Sequence, residues 1–469
     1  VVTTISSTSP LPHPPRRLPV LGDVLGVHAS TPVQDSVALA AQLGPIFERV
    51  VLGRRFVIVS GADLVEELSD ESRFVKHVAP AVAGLRSIGG DGLFTAYSHE
   101  PNWRKAHDLL RPAFTQSAMR SYHDIMVNVA GQLVSHWSSR DRVDVSSDMT
   151  KLTLETIGRT GFSYSFDSFT RAETHPFVRA ETHPFVRAMV RTLQHNQRRA
   201  LLPLPVVGDL VFRRRERRND ADKAFMAGLL DDIVRARRDG ETSGDGDLLD
   251  IMLEAARDGD PNALDEVNIR HQIVTFLIAG HETTSGSLSF ALYYLSRHPE
   301  MWARARAEVD EVWGADTPSF EQVAKLRFVR RVLDEGLRLW PTAPGYAREA
   351  RHDTTVGGRS MAAGDWVLVL IPGLHRDPVW GPDPEVFDPD RFLSANVRAR
   401  PPHAYKPFGT GERACIGRQF ALHESLLVLG TILQTFDVAP DPAYELAIEE
   451  RLTLMPAGFE LEVARRDRS

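Results

Sequence analysis

The sequence contains a single cysteine, Cys415, so no intrachain disulfide can form and nothing in its cysteine content asks for an oxidising compartment. It lacks an uninterrupted apolar run of about 18 residues, which excludes a conventional membrane-spanning helix. Its opening, VVTTISSTSPLPHPPRRLPVLGDV, has no basic segment followed by an apolar stretch and does not read as a secretory signal. A cytoplasmic location without a membrane anchor is the expectation. A basic excess is missing too: the formal net charge is -7, and no nucleic-acid partner is expected. Nor is there a repeat array. One octapeptide, ETHPFVRA, occurs twice in tandem over 173–188, fewer copies than the roughly three that a solenoid needs.

What is present suits a large globular protein, with 42% apolar and 25% charged residues. A chain of 469 residues could hold two or three domains on length alone. No shift in composition marks a linker, so 1–469 is read as one unit. Apolar alternation over Phe56 to Ser60 and the β-branched run Trp366 to Ile371 predict short strands. Helical spacing dominates elsewhere, above all in Tyr122 to Trp137, Asn268 to Arg297, Phe328 to Leu339 and Gln419 to Phe436. GETSGDGD at 240–247 is a loop. The fold class is therefore mainly α with a minor β region.

A lone cysteine is usually a small buried hydrophobe. Cys415 sits in a different setting: Gly411 and Gly417 relax the backbone on either side, Arg413 lies two residues away, and an apolar helix begins just after it. A helix N-terminus and a nearby cation both favour thiolate over thiol. A thiolate on a glycine-bounded loop is how a metal ligand would be presented. The spacing F-x-x-G-x-R-x-C-x-G, Phe408 to Gly417, resembles the haem-binding signature of the cytochrome P-450 family at every fixed position.

That resemblance implies the family's fold, with haem b between a long central helix and the helix that follows the cysteine loop. It implies Cys415 as the proximal axial ligand of the iron, a thiolate whose electron donation favours O–O cleavage. Arg413 would pair with a haem propionate, Phe408 would belong to the cofactor contacts, and Gly417 would let the backbone pass close to the macrocycle. Trp103 and His107, one helical turn apart in NWRKAH, would be core packing if met alone. By resemblance they reach a propionate, and Lys76 in RFVKH matches a further contact of one subgroup.

The segment 268–297 makes a helix of roughly 45 Å. Its centre contradicts its ends, because Gly280, Thr283 and Thr284 are poor helix formers placed mid-helix. A buried threonine ordinarily bonds back to the carbonyl four residues earlier, here Ala279. Beside the cysteine loop, A-G-H-E-T-T is similar to the family's oxygen-binding groove, where a widened helix turn admits oxygen and water. Thr283 would then be the principal proton-relay residue, with Glu282 in support and Ala279 as the carbonyl the threonine leaves.

Glu335 and Arg338 stand at i and i+3 and can share a helix face. Glu254/Arg257 and Glu462/Arg465 satisfy the same pattern, so context decides. Further on, Pro389 to Phe392 resembles the family's P-x-R-F element, whose arginine, Arg391, joins the pair in a structural role.

Stretches such as DGLFTAYSHEPNWRKAH, QIVTFLIAGHETTSG and LRLWPTAP resemble the haem domain of self-sufficient bacterial fatty-acid hydroxylases, from about Gly44 to Phe459. Those carry a fused flavin reductase. The resemblance implies NADPH as electron source through FAD and FMN on a reductase, fused or separate, that this sequence does not include. It implies hydroxylation, with O2, of an apolar substrate such as a medium- or long-chain fatty acid at subterminal carbons. Phe94 would stand over the haem, Leu85, Ala343 and Leu452 would line the channel, and Arg54 would take the carboxylate. Ile58 departs from the pattern, standing where the subgroup has a tyrosine; one lost charge-assisted hydrogen bond is worth about 1.5 to 3 kcal/mol. Arg213 to Arg218, RRRERR, is either a solvated face or a weak attraction for anionic substrates. A biosynthetic hydroxylase or epoxidase of another hydrophobic molecule, and a haem sensor without turnover, are the alternatives.

The doubled octapeptide falls where the family's substrate lid begins. A helix starting in the first copy would place Pro184 inside it, at a cost of about 3 kcal/mol. A start in the second copy keeps proline in the first turn. The lid helix is therefore expected to begin within Glu181 to Ala188, with Glu173 to Ala180 as an added loop or short turn.

Overall fold

The computed structural model describes the chain except residues 1–4, 7–9, 27, 29, 170–182, 202–206, 243, 245 and 468–469, and without the side chains of 5–6, 197–201 and 207–214. Helices form its bulk. The elements that place the site are α1 (Pro80–Gly84), α2 (Pro101–Leu110), α3 (Gln116–Ser138), α4 (Val145–Phe162), α5 (Pro184–Leu201), α6 (Val207–Arg238), α7 (Glu266–Arg297), α8 (Arg327–Leu339) and α9 (Arg418–Thr435). The four long helices read from periodicity are all present, with ends shifted by a few residues.

Their ends follow from local chemistry. Asp265 caps α7 by accepting the Asn268 amide at 2.8 Å, and Pro299 stands just beyond its last turn. Asp144 caps α4 through the Ser147 amide at 3.0 Å. The first turn of α8 has no such residue of its own; the Glu308 carboxylate takes the Phe328 and Val329 amides at 2.7 and 3.0 Å.

A five-stranded sheet lies to one side, built from β1 (Ile46–Val51), β2 (Arg54–Val59), β3 (Phe74–His77), β4 (Gly345–Ala350) and β5 (Trp366–Leu370). Its order is β1-β2-β5-β4-β3. Only β2 and β5 run parallel, with Ile58 opposite Leu368 and Val59 opposite Val369. These two strands are the ones the sequence showed. Their partners β1, β3 and β4 carry charged or small residues and give no comparable signal.

The main core lies among the helices, around α7. Most of this helix is buried on every side, with Ile273, Leu277, Leu288, Phe290, Leu292 and Leu295 inside. It packs against α4, α8 and α9. Such a helix is a central strut, so whatever its middle presents is presented inside the molecule.

A helix begins at Pro184, inside the second octapeptide. The His183 ring accepts the Phe185 amide at 3.1 Å, and Phe185, Val186 and Ala188 are buried. Phe166 holds both residues, edge-on to His183 with ring centres 5.1 Å apart and tilted to Phe185 at 5.8 Å. The first copy lies outside the described residues. α5 pairs with α6 and also rests on α1.

Candidate functional site

The loop before α9 is shaped by glycine at two points. Gly411 has φ +66°, and a Cβ there would fall 2.1 Å from a Glu71 carboxylate oxygen; Gly409 has φ +73°. The Cys415 amide donates to the Phe408 carbonyl at 2.8 Å and closes the loop on itself. Gly417 differs from what the sequence suggested, because its φ is -81° and it caps α9. A Cβ there would stand 4.0 Å from the Cys415 Sγ, an ordinary van der Waals contact.

The Cys415 side chain is solvent-accessible, yet protein surrounds it closely, so the thiol opens into a recess. Burial pushes this thiol up, while the Gly417 amide and then Arg418 act against that rise. The cation expected to assist it was Arg413. That guanidinium lies instead over the Trp103 indole, 4.0 Å from the ring centre, and Arg418 is the cation that the thiol senses.

Arg413 belongs to a second cluster, facing the Leu93 and Ala96 carbonyls at 3.5 and 3.3 Å. Lys76, on β3, donates to the Phe94 carbonyl and sits 5.3 Å from the centre of the Phe94 ring. Burial, and then the charge of Arg413, bring the Lys76 ammonium down to about 7; burial brings Arg413 down to about 10. Neither forms an ion pair among the described residues. His107 stacks on Trp103 with ring centres 5.0 Å apart and turns its Nδ1 to Asp108 at 3.0 Å. Two half-buried cations, with the charges of Glu412 and Glu100 near Arg413 but no ion pair to either cation among the described residues, make a site for anions. An accessible thiol for iron and an unpaired Lys76–Arg413 couple for propionates form a donor set that fits haem.

Ala279 and Thr283 are accessible on one face in the middle of α7, where nearly all of their neighbours are buried. The Thr283 hydroxyl donates back to the Ala279 carbonyl at 2.7 Å, the common habit of a helical threonine. The poor helix formers at its centre do not interrupt it: α7 runs unbroken from Glu266 to Arg297. Gly280 has another explanation, since a Cβ on it would come within 3.1 Å of Ile157 Cγ1. It is small because α4 passes close by.

Glu282 is buried, and it points away from Thr283, as neighbours along a helix do. Its Oε2 accepts the Thr453 hydroxyl at 3.1 Å; its Oε1 has no hydrogen-bond partner and stands 3.8 Å from Arg451. Arg451 in turn pairs with Glu449 at 2.9 Å. Sequence reading missed Arg451 and Thr453, which lie about 170 positions away and match no motif.

On the substrate side, Phe94 is 37% exposed, while Leu85 is 3% exposed within the main core. Ala343 and Leu452 are half-buried, the latter against that core. Arg54 is exposed at the start of β2. Ile58 is 3% exposed and packs with Phe47 and Leu370. In the RRRERR run, Arg217 and Arg218 are exposed and Glu216 comes within 3.9 Å of His195; the side chains of Arg213 and Arg214 lie outside the described residues.

Behind the loop, Arg338 meets Glu335 in a two-pronged buried pair, and Arg391 Nε approaches Glu335 at 3.6 Å. Arg391 also donates to the Trp380 and Asp383 carbonyls. A separate cavity of about 460 Å³ is lined by Met119, Arg327, Arg330, Gln419, Leu422 and Leu426, and none of the predicted site residues borders it.

The family model for cytochrome P450 matches residues 12–463. The chain belongs to the cytochrome P450 family. It is 44% identical over 473 residues to a bifunctional cytochrome P450/NADPH–P450 reductase of Bacillus subtilis, with 98% of this chain and 43% of the relative covered. A bifunctional enzyme of the same description from Bacillus cereus is 43% identical, with 98% and 42% covered. A self-sufficient cytochrome P450 monooxygenase of Phanerodontia chrysosporium is 39% identical, with 98% and 43% covered. The chain thus spans about two fifths of the length of these relatives. As a cytochrome P450 it binds haem, and the mainly helical architecture with small sheets is the family's fold. No helix among the described residues is long and apolar enough to cross a membrane.

Proposed function

We propose that this cytochrome P450 is a haem-thiolate monooxygenase that hydroxylates an apolar substrate, a medium- or long-chain fatty acid at subterminal carbons, with O2 and electrons from NADPH. The observation that carries this reading is the pair of accessible residues Ala279 and Thr283, presented by a central helix that is otherwise buried, in a chain whose one thiol opens into a recess. Haem held by Cys415 supplies the reductive activation of O2, and Lys76, Arg413, Trp103 and His107 would hold its propionates.

The residues of α7 handle protons. The Thr283 hydroxyl can leave the Ala279 carbonyl and hold a water. Glu282 Oε1, free of hydrogen bonds, can take a proton from solvent along the Arg451 side, and it delivers that proton to the water only when its side chain swings from Thr453 toward the Thr283 face. A haem protein built only to bind has no need of this buried acid, which counts against the sensor reading. Electrons would come through FAD and FMN on a reductase, fused or separate, as the names of the Bacillus relatives suggest.

The fatty acid is supported by Arg54, an exposed cation at the start of β2 with no ion pair among the described residues, and by the resemblance to fatty-acid hydroxylases. Ile58, buried and apolar, favours a second reading: an oxygenase of another small hydrophobic molecule that needs no carboxylate anchor. The test is to titrate fatty acids, their methyl esters and neutral terpenoid-sized molecules into the haem-loaded protein and follow the haem absorption band. Product from NADPH and a flavin reductase is then measured. A band shift and hydroxylated product with the acids but not the esters support the first reading. Equal response to the esters supports the second, and band shifts without product sink both.

A further inference from the structure

His375 lies in the breaker-rich segment HRDPVWGPDPEVFDPDRF, to which neither the family motifs nor the proton relay give a task. It is completely buried. Its Nδ1 lies 3.1 Å from the Arg338 carbonyl oxygen, and its Nε2 lies 3.0 Å from the Lys406 amide nitrogen. The amide can only donate and the carbonyl can only accept, so the ring is the neutral tautomer with its proton on Nδ1. The exchange with Arg338 is reciprocal, because the Arg338 guanidinium donates to the His375 carbonyl at 2.9 Å.

From Lys406 the bonds lead directly to the cysteine. The Lys406 carbonyl accepts the Gly409 amide at 3.1 Å, and the Phe408 carbonyl accepts the Cys415 amide at 2.8 Å. The Tyr405 ring stacks on the imidazole, centres 5.1 Å apart, and its hydroxyl donates to the Asp334 carbonyl on α8 at 2.9 Å. The entry to the cysteine loop is thus held to α8 at two neighbouring residues, once through a ring and once through a hydroxyl.

We infer that His375 is a positioning residue for the cysteine ligand, its two ring nitrogens fastening the start of the 406–415 loop to the main chain of α8 at Arg338, the residue whose side chain forms the buried pair with Glu335. This rests on the reading that Cys415 holds the haem. The ring stays neutral across the useful pH range: burial, followed by the Arg338 charge, brings it down to about 3. The groups facing it from the packed elements are Arg338, Arg376 and Tyr405, none of which offers it a carboxylate.

The test compares His375→Gln, His375→Asn and His375→Leu in the haem-loaded protein. A glutamine amide reaches where Nε2 stands and can accept the Lys406 amide. Asparagine reaches only the Nδ1 position, and leucine fills the volume without polar atoms. Two readouts are taken: the absorption band of the reduced carbon monoxide complex, which distinguishes thiolate from thiol ligation, and hydrogen exchange of peptides covering 403–417. The expected result for Leu and Asn is a partial change to thiol-type ligation with exchange about tenfold faster, and for Gln a return toward the wild-type values. Equal behaviour of Gln and Asn, or a fall in melting temperature with band and exchange unchanged in every variant, overturns the inference. Should the Leu variant not fold, the Gln–Asn comparison decides alone. A wild-type protein without the thiolate band would instead refute the Cys415 reading, so the two failures are distinct.

Discussion

Arg338 presents two N–H groups to the two Glu335 carboxylate oxygens, each at 2.7 Å, and neither side chain reaches solvent. Burial pushes the Glu335 carboxyl up, and the Arg338 contact acts against it. The remaining Arg338 donors go to the His375, Pro384 and Val386 carbonyls, so the guanidinium joins three chain segments. Removing one partner strands a buried charge, which typically costs about 3 to 5 kcal/mol. Arg338→Met and Glu335→Gln are each expected to lower stability in that range. Denaturant unfolding of the haem-loaded protein checks this, and losses below about 1 kcal/mol would mean that the pair is dispensable.

Thr283→Ala removes the only hydroxyl on the accessible face of α7 at this turn. The expected outcome is continued consumption of NADPH with product lowered on the order of tenfold or more, since a positioned proton donor typically contributes 10²-fold or more. Thr453→Val leaves Glu282 without its one hydrogen-bonded partner and is expected to weaken coupling in the same direction but less. Reductant and product are counted in the same reaction. Full coupling in Thr283→Ala would remove the threonine from the relay.

Glu424 on α9 is buried, and neither of its oxygens has a hydrogen-bond partner. The neighbouring Thr156 hydroxyl is committed to the Leu152 carbonyl at 3.0 Å. Burial pushes the Glu424 carboxyl up to about 8, and Thr156 beside it acts against that rise. An acid with a raised folded pKa keeps its proton in the folded state and loses it in the unfolded one. Stability therefore falls as pH rises from the unfolded pKa near 4.5 towards 8, by about 1.4 kcal/mol per unit, and the slope ends above it. Glu424→Gln is expected to flatten that slope and to stabilise the protein most at pH 8 and above. Melting curves at a series of pH values decide, and parallel curves for both proteins would contradict it.

The sequence disclosed what repeats a local rule. The long helices, the strands at 54–59 and 366–370 and the cysteine loop were legible because periodicity or a fixed spacing carries them. What it could not disclose depends on distant residues. Arg418 rather than Arg413 acts on the thiol because the Trp103 face draws Arg413 away. Gly280 looked like a weak point in a helix and is instead the place where Ile157 crosses it. Thr453 and Arg451 come to Glu282 from a turn near the C-terminus, and His375 comes to Lys406 from a segment that reads only as a series of turns. Motifs located the chemistry, whereas the supports around it are tertiary.

Ile58 gives the last prediction. By resemblance its position would help to bind a carboxylate if it were tyrosine, yet its side chain packs with Phe47 and Leu370 and with Val33, Val37 and Leu43 around them. A tyrosine there must displace those neighbours or leave its hydroxyl buried without a partner. Ile58→Tyr is expected to destabilise the protein by about 1 to 3 kcal/mol without tightening fatty-acid binding. Arg54→Ala, at an exposed position, is expected to weaken carboxylate binding at low salt and leave stability unchanged within about 0.5 kcal/mol. Binding is read from the substrate-induced shift of the haem band and stability from unfolding of the same preparations. A tyrosine variant that binds fatty acids several-fold more tightly at wild-type stability would show that position 58 faces the channel mouth and that the packing seen around Ile58 yields to substrate.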